Sequence, residues 1–243
     1  MSVQVAARAQ RLVEWLRDQV RSAGGEGAVV GLSGGIDSAV VAGLCARAFP
    51  GRALGVIMPC HSNPRDAEEA RRVAETFGIE VRTVALDEVY DRLLATLAGG
   101  QEVDGRGLAA ANLKPRLRMT TLYFQANLRN YLVVGTGNRS ELAVGYFTKY
   151  GDGGVDLLPL GNLVKSQVRE LAVHLGVPQP VIDRPPSAGL WEGQTDEGEM
   201  GLTYQVLDRY LLTGQADPAV AARIEGLATR SEHKRGLPPA APA

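Results

Sequence analysis

The sequence predicts an α/β protein with a doubly wound, mainly parallel five-stranded sheet and helices on both faces. Two observations carry this reading. Over the first 134 residues, short apolar segments with β-branched centres alternate with longer segments of helical periodicity. The first such pair is joined by a loop of glycine and serine, in the run Val29-Val30-Gly31-Leu32-Ser33-Gly34-Gly35-Ile36-Asp37-Ser38-Ala39-Val40-Val41. Alternation of this kind implies right-handed crossovers and puts ligand loops at the carboxyl ends of strands.

Val3, Ala6, Leu12, Val13, Leu16 and Val20 recur at helical spacing and predict an amphipathic first helix that ends before Gly24-Gly25. Residues 27–32 read as a buried strand and Ala39, Val40, Val41, Ala42 and Leu44 as a buried helix. A second strand over 53–58, a helix over 65–77, a third strand over 81–86 and a helix over 87–97 follow. Residues 98–107 break all periodicity and read as a mobile connector. Residues 108–130 read as one long helix that Pro115 should kink or interrupt, leading into a strand over 131–134. The Gly/Asp/Glu-rich run 185–201 is either a plain surface loop or a substrate-responsive lid. Two helices, 202–212 and 218–230, close the chain, and the Pro/Ala-rich tail 236–243 is expected to be disordered unless docked.

A chain of 243 residues with 45% hydrophobic content can bury a full core, and 1–243 is expected to be a single domain. The formal charge of −1 speaks against a surface built for polyanions, so no nucleic-acid partner is expected. The two cysteines, Cys45 and Cys60, form no CxxC and no metal-ligand spacing, and read as buried or incidental thiols. No apolar run approaches the ~20 residues of a membrane span, and the start carries no targeting pattern; a cytoplasmic protein without a membrane partner is expected.

The loop 33–38 carries the chemistry. Gly34 and Gly35 allow positive φ and close approach of a ligand to the backbone, and the helix that follows offers free N–H groups. An ordinary turn with two glycines would look similar, but two hydroxyls and an aspartate within the same six residues favour a phosphate cradle. No Gly-Lys-Ser/Thr follows, so it is not a Walker loop. Further along, Lys114, Arg116 and Arg118 lie within five positions, which alone would suit a solvated helix face. Residues 145–160 gather aromatics, glycines, a lysine and two aspartates with no amphipathic pattern to serve.

Ser33-Gly34-Gly35-Ile36-Asp37-Ser38 resembles the signature loop of the ATP pyrophosphatases, which split ATP into AMP and pyrophosphate to activate an acyl or carbonyl oxygen. Several downstream blocks narrow the resemblance to the ammonia-dependent NAD synthetases: Lys114-Pro115-Arg116-Leu117-Arg118-Met119, Gly135-Thr136 with Glu141, 148–160, Lys165-Ser166-Gln167-Val168-Arg169-Glu170-Leu171, 186–190, 193–197 and His233-Lys234-Arg235. Pro115 stands where that motif often has alanine, and Ser187 replaces a frequent threonine. The loop 135–141 is similar to the version in archaeal and glutamine-dependent members.

The resemblance implies an adenine nucleotide alpha-hydrolase-like fold and amidation of deamido-NAD by ammonia at the expense of ATP. It implies an acyl-adenylate intermediate and Mg²⁺ held by Asp37 and Glu141. ATP would be bound by Gly31, Leu32, Ser33, Gly34, Gly35, Ile36, Asp37, Ser38, Thr136, Lys165 and Ser187, and deamido-NAD by Arg116, Lys149, Asp156, His233 and Lys234. Asp37, Lys165 and Asp156 would be catalytic, Asp156 orienting the nicotinate group or accepting a proton from the incoming ammonium. Without the resemblance, Lys165 would be a solvated lysine at a helix start and His233 a solvated residue of a basic tail. The family is homodimeric; the first helix and the helix around Arg116 are the expected interface elements. No glutaminase domain is expected in this chain, so free ammonia is the expected donor, with a separate glutaminase as the other source. The competing readings are a tRNA-modifying adenylating ligase, which would call for a thiol pair or a basic surface, and a nucleotide sensor without turnover.

Overall fold

The computed structural model describes residues 3–105, 107–187 and 194–241. Its first half alternates helix and strand: α1 (Val3–Ser22), β1 (Gly27–Gly31), α2 (Ile36–Ala48), β2 (Ala53–Ile57), α3 (Pro64–Phe77), β3 (Glu80–Thr83), α4 (Asp87–Ala98), α5 (Leu108–Ala111), α6 (Leu113–Arg129) and β4 (Tyr131–Val133). Helices follow: α7 (Arg139–Val144), α8 (Lys165–Leu175), α9 (Gln179–Asp183), α10 (Asp196–Met200), α11 (Tyr204–Thr213) and α12 (Pro218–Arg230), then a 3-10 turn at Glu232–Lys234.

All strand pairs are parallel, in the order β3-β2-β1-β4. The sheet has four strands rather than the expected five. What comes nearest to a fifth is an isolated parallel bridge between Val134 and Leu157. It does not extend, because Pro159 has no N–H to donate and the chain turns at once, Gly161 N–H donating to Leu158 O.

Alternation along the strands sends side chains to two cores. Ala28, Val30, Ala53 and Ile57 face α1, α2, α3 and α8. Val29, Leu54, Val56 and Val133 face the opposite way, against Tyr90 of α4 and Ala126 of α6. A third cluster, of Val144, Met200, Leu202, Tyr204, Leu207 and Ile224, binds α7, α10, α11 and α12 together beside the sheet.

Local chemistry sets several boundaries. Asn63 caps α3, Pro64 opens it where no N–H is needed, and Gly78 ends it in the left-handed region at φ 63°. The single long helix expected over 108–130 is two, and the division falls at Asn112 rather than at Pro115. Pro115 sits in the first turn of α6, where its missing N–H has no intrahelical partner to lose.

The apolar stripe of α1 is spent inside the chain, which corrects its expected role as an interface element. Ala9, Val13, Leu16 and Val20 are buried against α2 and α8, while Val3 is exposed. In the run 185–201, residues 188–193 lie outside those described, so the choice between loop and lid is not decided there. The described remainder holds α10, with Gln194 and Asp196 buried. Residues 99–105, 107 and 236–241 carry no helix or strand; 106, 242 and 243 lie outside the description.

Cys45 and Cys60 are buried and unpaired, and burial pushes the Cys45 thiol up to about 12. Among the described residues no helix is long and apolar enough to cross a membrane. Leu16, wholly buried on α1, tests the internal packing of that helix. Leu16→Ala is expected to lower unfolding free energy in urea by about 2–5 kcal/mol, leaving the sedimentation behaviour of the folded protein unchanged.

Candidate active site

Strand order reverses at β1, with β2 and β3 on one side and β4 on the other. The crevice between the carboxyl ends of β1 and β4 is where such sheets bind ligands. Both expected nucleotide loops open there. After Gly31 the chain turns through Leu32, Ser33, Gly34 and Gly35 into α2. Leu32 and Ile36 are buried under the turn and Ser33 is exposed.

Gly34 has φ 77°, and a Cβ there would lie 2.5 Å from the carbonyl oxygen of Asp66, so only glycine fits. Gly35 departs from the expectation: at φ −92° its backbone is open to any residue. Its contribution as N-cap is the absence of a side chain, which leaves the first N–H groups of α2 without a side-chain cap. The loop is closed by its own hydroxyls. Ser33 Oγ and Ser38 Oγ are 3.1 Å apart, Ser38 Oγ donates to Gly35 O at 2.9 Å, and Gly35 N–H donates to Ser33 Oγ at 3.2 Å.

Three elements converge beside this loop. Asp37 stands in the first turn of α2, Glu141 on α7 and Lys165 at the first position of α8. Lys165 Nζ donates to Asp37 Oδ2 at 2.6 Å and to Glu141 Oε1 at 3.1 Å, and lies 4.8 Å from the centre of the Tyr204 ring. The Lys165 side chain is only 9% exposed. Burial works to lower the pKa of Lys165, but the charges of Asp37 and Glu141 override it and push it up. Burial pushes the Glu141 carboxyl up to about 7 against the pull of Lys165, with the Asp37 charge adding to the rise. Two carboxylates thus converge on one positive charge, which is the donor set of a hard cation shared with phosphate oxygens.

Thr136 is half-buried just after β4, and Ser187 is exposed beyond α9.

The residues expected to hold the second substrate form a connected string. Arg116 Nη2 lies 3.5 Å from Lys149 O, and Lys149 Nζ donates to His233 O at 2.6 Å. Lys234 Nζ donates to Gly145 O and Phe147 O. Asp156 joins through α6, where Tyr123 lies two turns beyond Arg116 on the same side. Its Oδ1 accepts from Tyr123 OH at 2.9 Å, and its Oδ2 accepts from Val133 N–H at 2.8 Å. Both oxygens of Asp156 are therefore engaged at the sheet edge. The cations of the α6 motif separate: Arg116 is exposed, Lys114 is buried over the Tyr90 ring, and Arg118 donates to Met58 O and Ser62 Oγ.

Three residues of the site escaped the sequence reading. Asn138, wholly buried, donates through Nδ2 to Asp37 Oδ1 at 2.9 Å and forms a reciprocal capping box with Glu141. Asn-x-x-Glu before a helix is a visible capping signal, so this one was within reach. Tyr204 OH donates to Asp196 Oδ2 at 2.9 Å and lies 3.3 Å from Glu141 Oε1; burial above all, then those two charges, raises its pKa and keeps it a donor. Asp208 accepts from the start of α8. Nothing local in the sequence marks Tyr204 or Asp208, because their partners lie far away along the chain.

A family model described as NAD synthase matches residues 8–238. The chain is 53% identical to the NH(3)-dependent NAD(+) synthetase of Carboxydothermus hydrogenoformans, over 98% of each chain. Among solved structures it is similar to the NMN synthetase of Francisella tularensis, with a TM-score of 0.92 and 41% identity over 98% of each chain. It is also similar to the NH3-dependent NAD synthetase of Campylobacter jejuni, with a TM-score of 0.80 and 28% identity over 99% of this chain and 100% of that one. A family match over nearly the whole chain, on a fold whose β1 and β4 loops bring Asp37, Glu141 and Lys165 together, places this protein in the NAD synthase family.

Proposed function

We propose that the protein makes NAD by ATP-dependent amidation of deamido-NAD with ammonia, releasing AMP and pyrophosphate. The observation that carries this reading is the convergence of Lys165, Asp37 and Glu141 beside the phosphate loop, in a chain of this family. In the first step an oxygen of the nicotinate carboxylate attacks the α-phosphorus of ATP, and pyrophosphate leaves with the bonding electrons. In the second, the nitrogen of ammonia attacks the acyl carbon of the adenylate, a proton is lost, and AMP leaves.

The protein's part is charge control. Ser33, Gly34, Gly35 and Ser38 cradle the phosphates with N–H and O–H donors, on a loop fixed from below by Gly31, Leu32 and Ile36. Thr136 and Ser187 flank the nucleotide. Asp37 and Glu141 are the residues we assign to Mg²⁺, which would offset the repulsion between two anions and steady the leaving pyrophosphate. Lys165 moves its charge from these carboxylates to the phosphates. Arg116, Lys149 and Lys234 meet the dinucleotide as a string of cations, with His233 beside them. Asp156, with both oxygens engaged, fits an orienting role better than proton transfer.

A second copy of the chain is proposed to complete the assembly. With α1 spent inside the fold, α6 is the remaining interface element: Phe124 and Leu128, one turn apart, are 59% and 62% exposed. A second reading of the acceptor has its own support, since the Francisella NMN synthetase superposes at a TM-score of 0.92 against 0.80 for the Campylobacter enzyme. The same site would then amidate nicotinate mononucleotide.

Turnover, metal binding and sedimentation test these assignments. With ATP, Mg²⁺ and ammonium, the protein is expected to turn over deamido-NAD to NAD with AMP as the nucleotide product. Preference for nicotinate mononucleotide in a parallel assay would establish the second acceptor, and ADP would refute the chemistry. Asp37→Asn should lower kcat by about 100-fold or more.

Mn²⁺ titrated by paramagnetic resonance should bind at least about tenfold more tightly with ATP present, because in its absence Lys165 occupies one oxygen of each carboxylate and offsets part of their charge. Lys165→Met should raise the ATP-free Mn²⁺ affinity, and an unchanged value would remove that assignment. In sedimentation the wild-type chain should be a dimer and Phe124→Asp/Leu128→Asp a monomer.

A further inference from the structure

Helix α8 begins with Lys165, yet the residue before it, Val164, has no side-chain acceptor for the first N–H groups of the helix. The acceptor comes from another helix. Asp208, on α11 and only 4% exposed, takes Ser166 N–H on Oδ2 at 2.7 Å and Lys165 N–H on Oδ1 at 3.3 Å. The same Oδ1 accepts from Ser140 Oγ at 2.6 Å, and Ser140 Oγ in turn accepts from Lys165 N–H at 3.1 Å. Ser140 is wholly buried and is the neighbour of Glu141 on α7.

One carboxylate therefore joins the backbone at Lys165 to the residue beside Glu141. Among the described residues no ion pair includes Asp208; its charge is met by two backbone N–H groups, one hydroxyl and the positive end of α8. A buried carboxylate without a cationic partner is costly, and an apolar contact would hold α11 against α8 as well. What an apolar contact would not do is fix the rotation of α8 and its offset from α7. Those two quantities decide whether Lys165 Nζ reaches both Glu141 and Asp37.

We propose that Asp208 is a positioning residue: by capping α8 and clamping Ser140 it sets the Lys165 ammonium relative to Glu141 and Asp37, and so sets affinity and rate at the ATP phosphates. The clamp rests on the amidation reading only for its kinetic readout. ATP binding measured by calorimetry needs no turnover, so its result judges the clamp even if the acceptor proves to be a different one.

The test compares wild type, Asp208→Asn and Ser140→Ala. For folded Asp208→Asn the ATP Kd should rise about tenfold and kcat should fall by about tenfold or more, while KM for the nicotinate substrate, held by the α6 string, stays within about twofold. A purely structural role would lower thermal stability and leave the ATP Kd of the folded fraction unchanged, and that result would overturn the proposal. Equal changes for both substrates would overturn it too. If Asp208→Asn does not fold, Ser140→Ala carries the test, since it removes the clamp to α7 and its share of the Lys165 N–H while leaving the Asp208 carboxylate on the first N–H groups of α8. It should shift ATP Kd and kcat in the same sense by about threefold, and wild-type values would refute the clamp.

Discussion

A lysine and two carboxylates share one enclosed space at the end of the sheet, and much of the structure serves that arrangement. Each of these charges would be costly to bury alone; together they are tolerated because Lys165 donates to both acids and their remaining oxygens find donors. Asn138 supplies those donors, its side chain to Asp37 and its backbone N–H to Glu141. The cluster still carries more negative than positive charge. In a site of low dielectric that imbalance is the physical ground for the proposed Mg²⁺ assignment and for the proposed transfer of the Lys165 charge to phosphates.

Topology brings the three groups together. Because the strand order reverses at β1, the loops after β1 and β4 open side by side and their helices, α2 and α7, start at one point. Lys165 comes from α8, which lies on the α1/α2 side of the sheet, and Tyr204 and Asp208 come from a separate helical layer of α7, α10, α11 and α12. Two layers with distinct cores thus meet at the charged site. The site contacts that cross between them are polar and directional, from Lys165 of α8 to Glu141 of α7 and from the start of α8 to Asp208 of α11.

The strands and the first helices were legible because their signals are local. A β-branched run between turn residues, or an apolar stripe at helical spacing, announces itself within a dozen positions, and the four strands fell within a few residues of their expected places. The glycine and serine turn between β1 and α2 was legible for the same reason. The long helix over 108–130 failed because its break falls at Asn112, whose side chain accepts from the distant Thr148 Oγ1, and not at the proline that looks decisive in the sequence. The fate of the α1 stripe was also hidden: its pattern shows that something covers it, and only packing shows that α2 and α8 do. A fifth strand needed a partner sequence able to continue a ladder, and the chain turns at Pro159 instead.

By itself the sequence determined the α/β class, the glycine and serine turn after β1 and the charged side chains to which roles are proposed, since each depends on residue types within one short segment. The tertiary structure alone decided which groups meet, because Asp37, Glu141, Lys165 and the α11 pair Tyr204 and Asp208 come from separate parts of the chain and contact follows from strand order and helix packing. It also decided that Asp156 is tied to Tyr123 and Val133, and that α1 is spent within the fold. A side chain's chemistry is fixed by its type, but its partners are fixed by the fold.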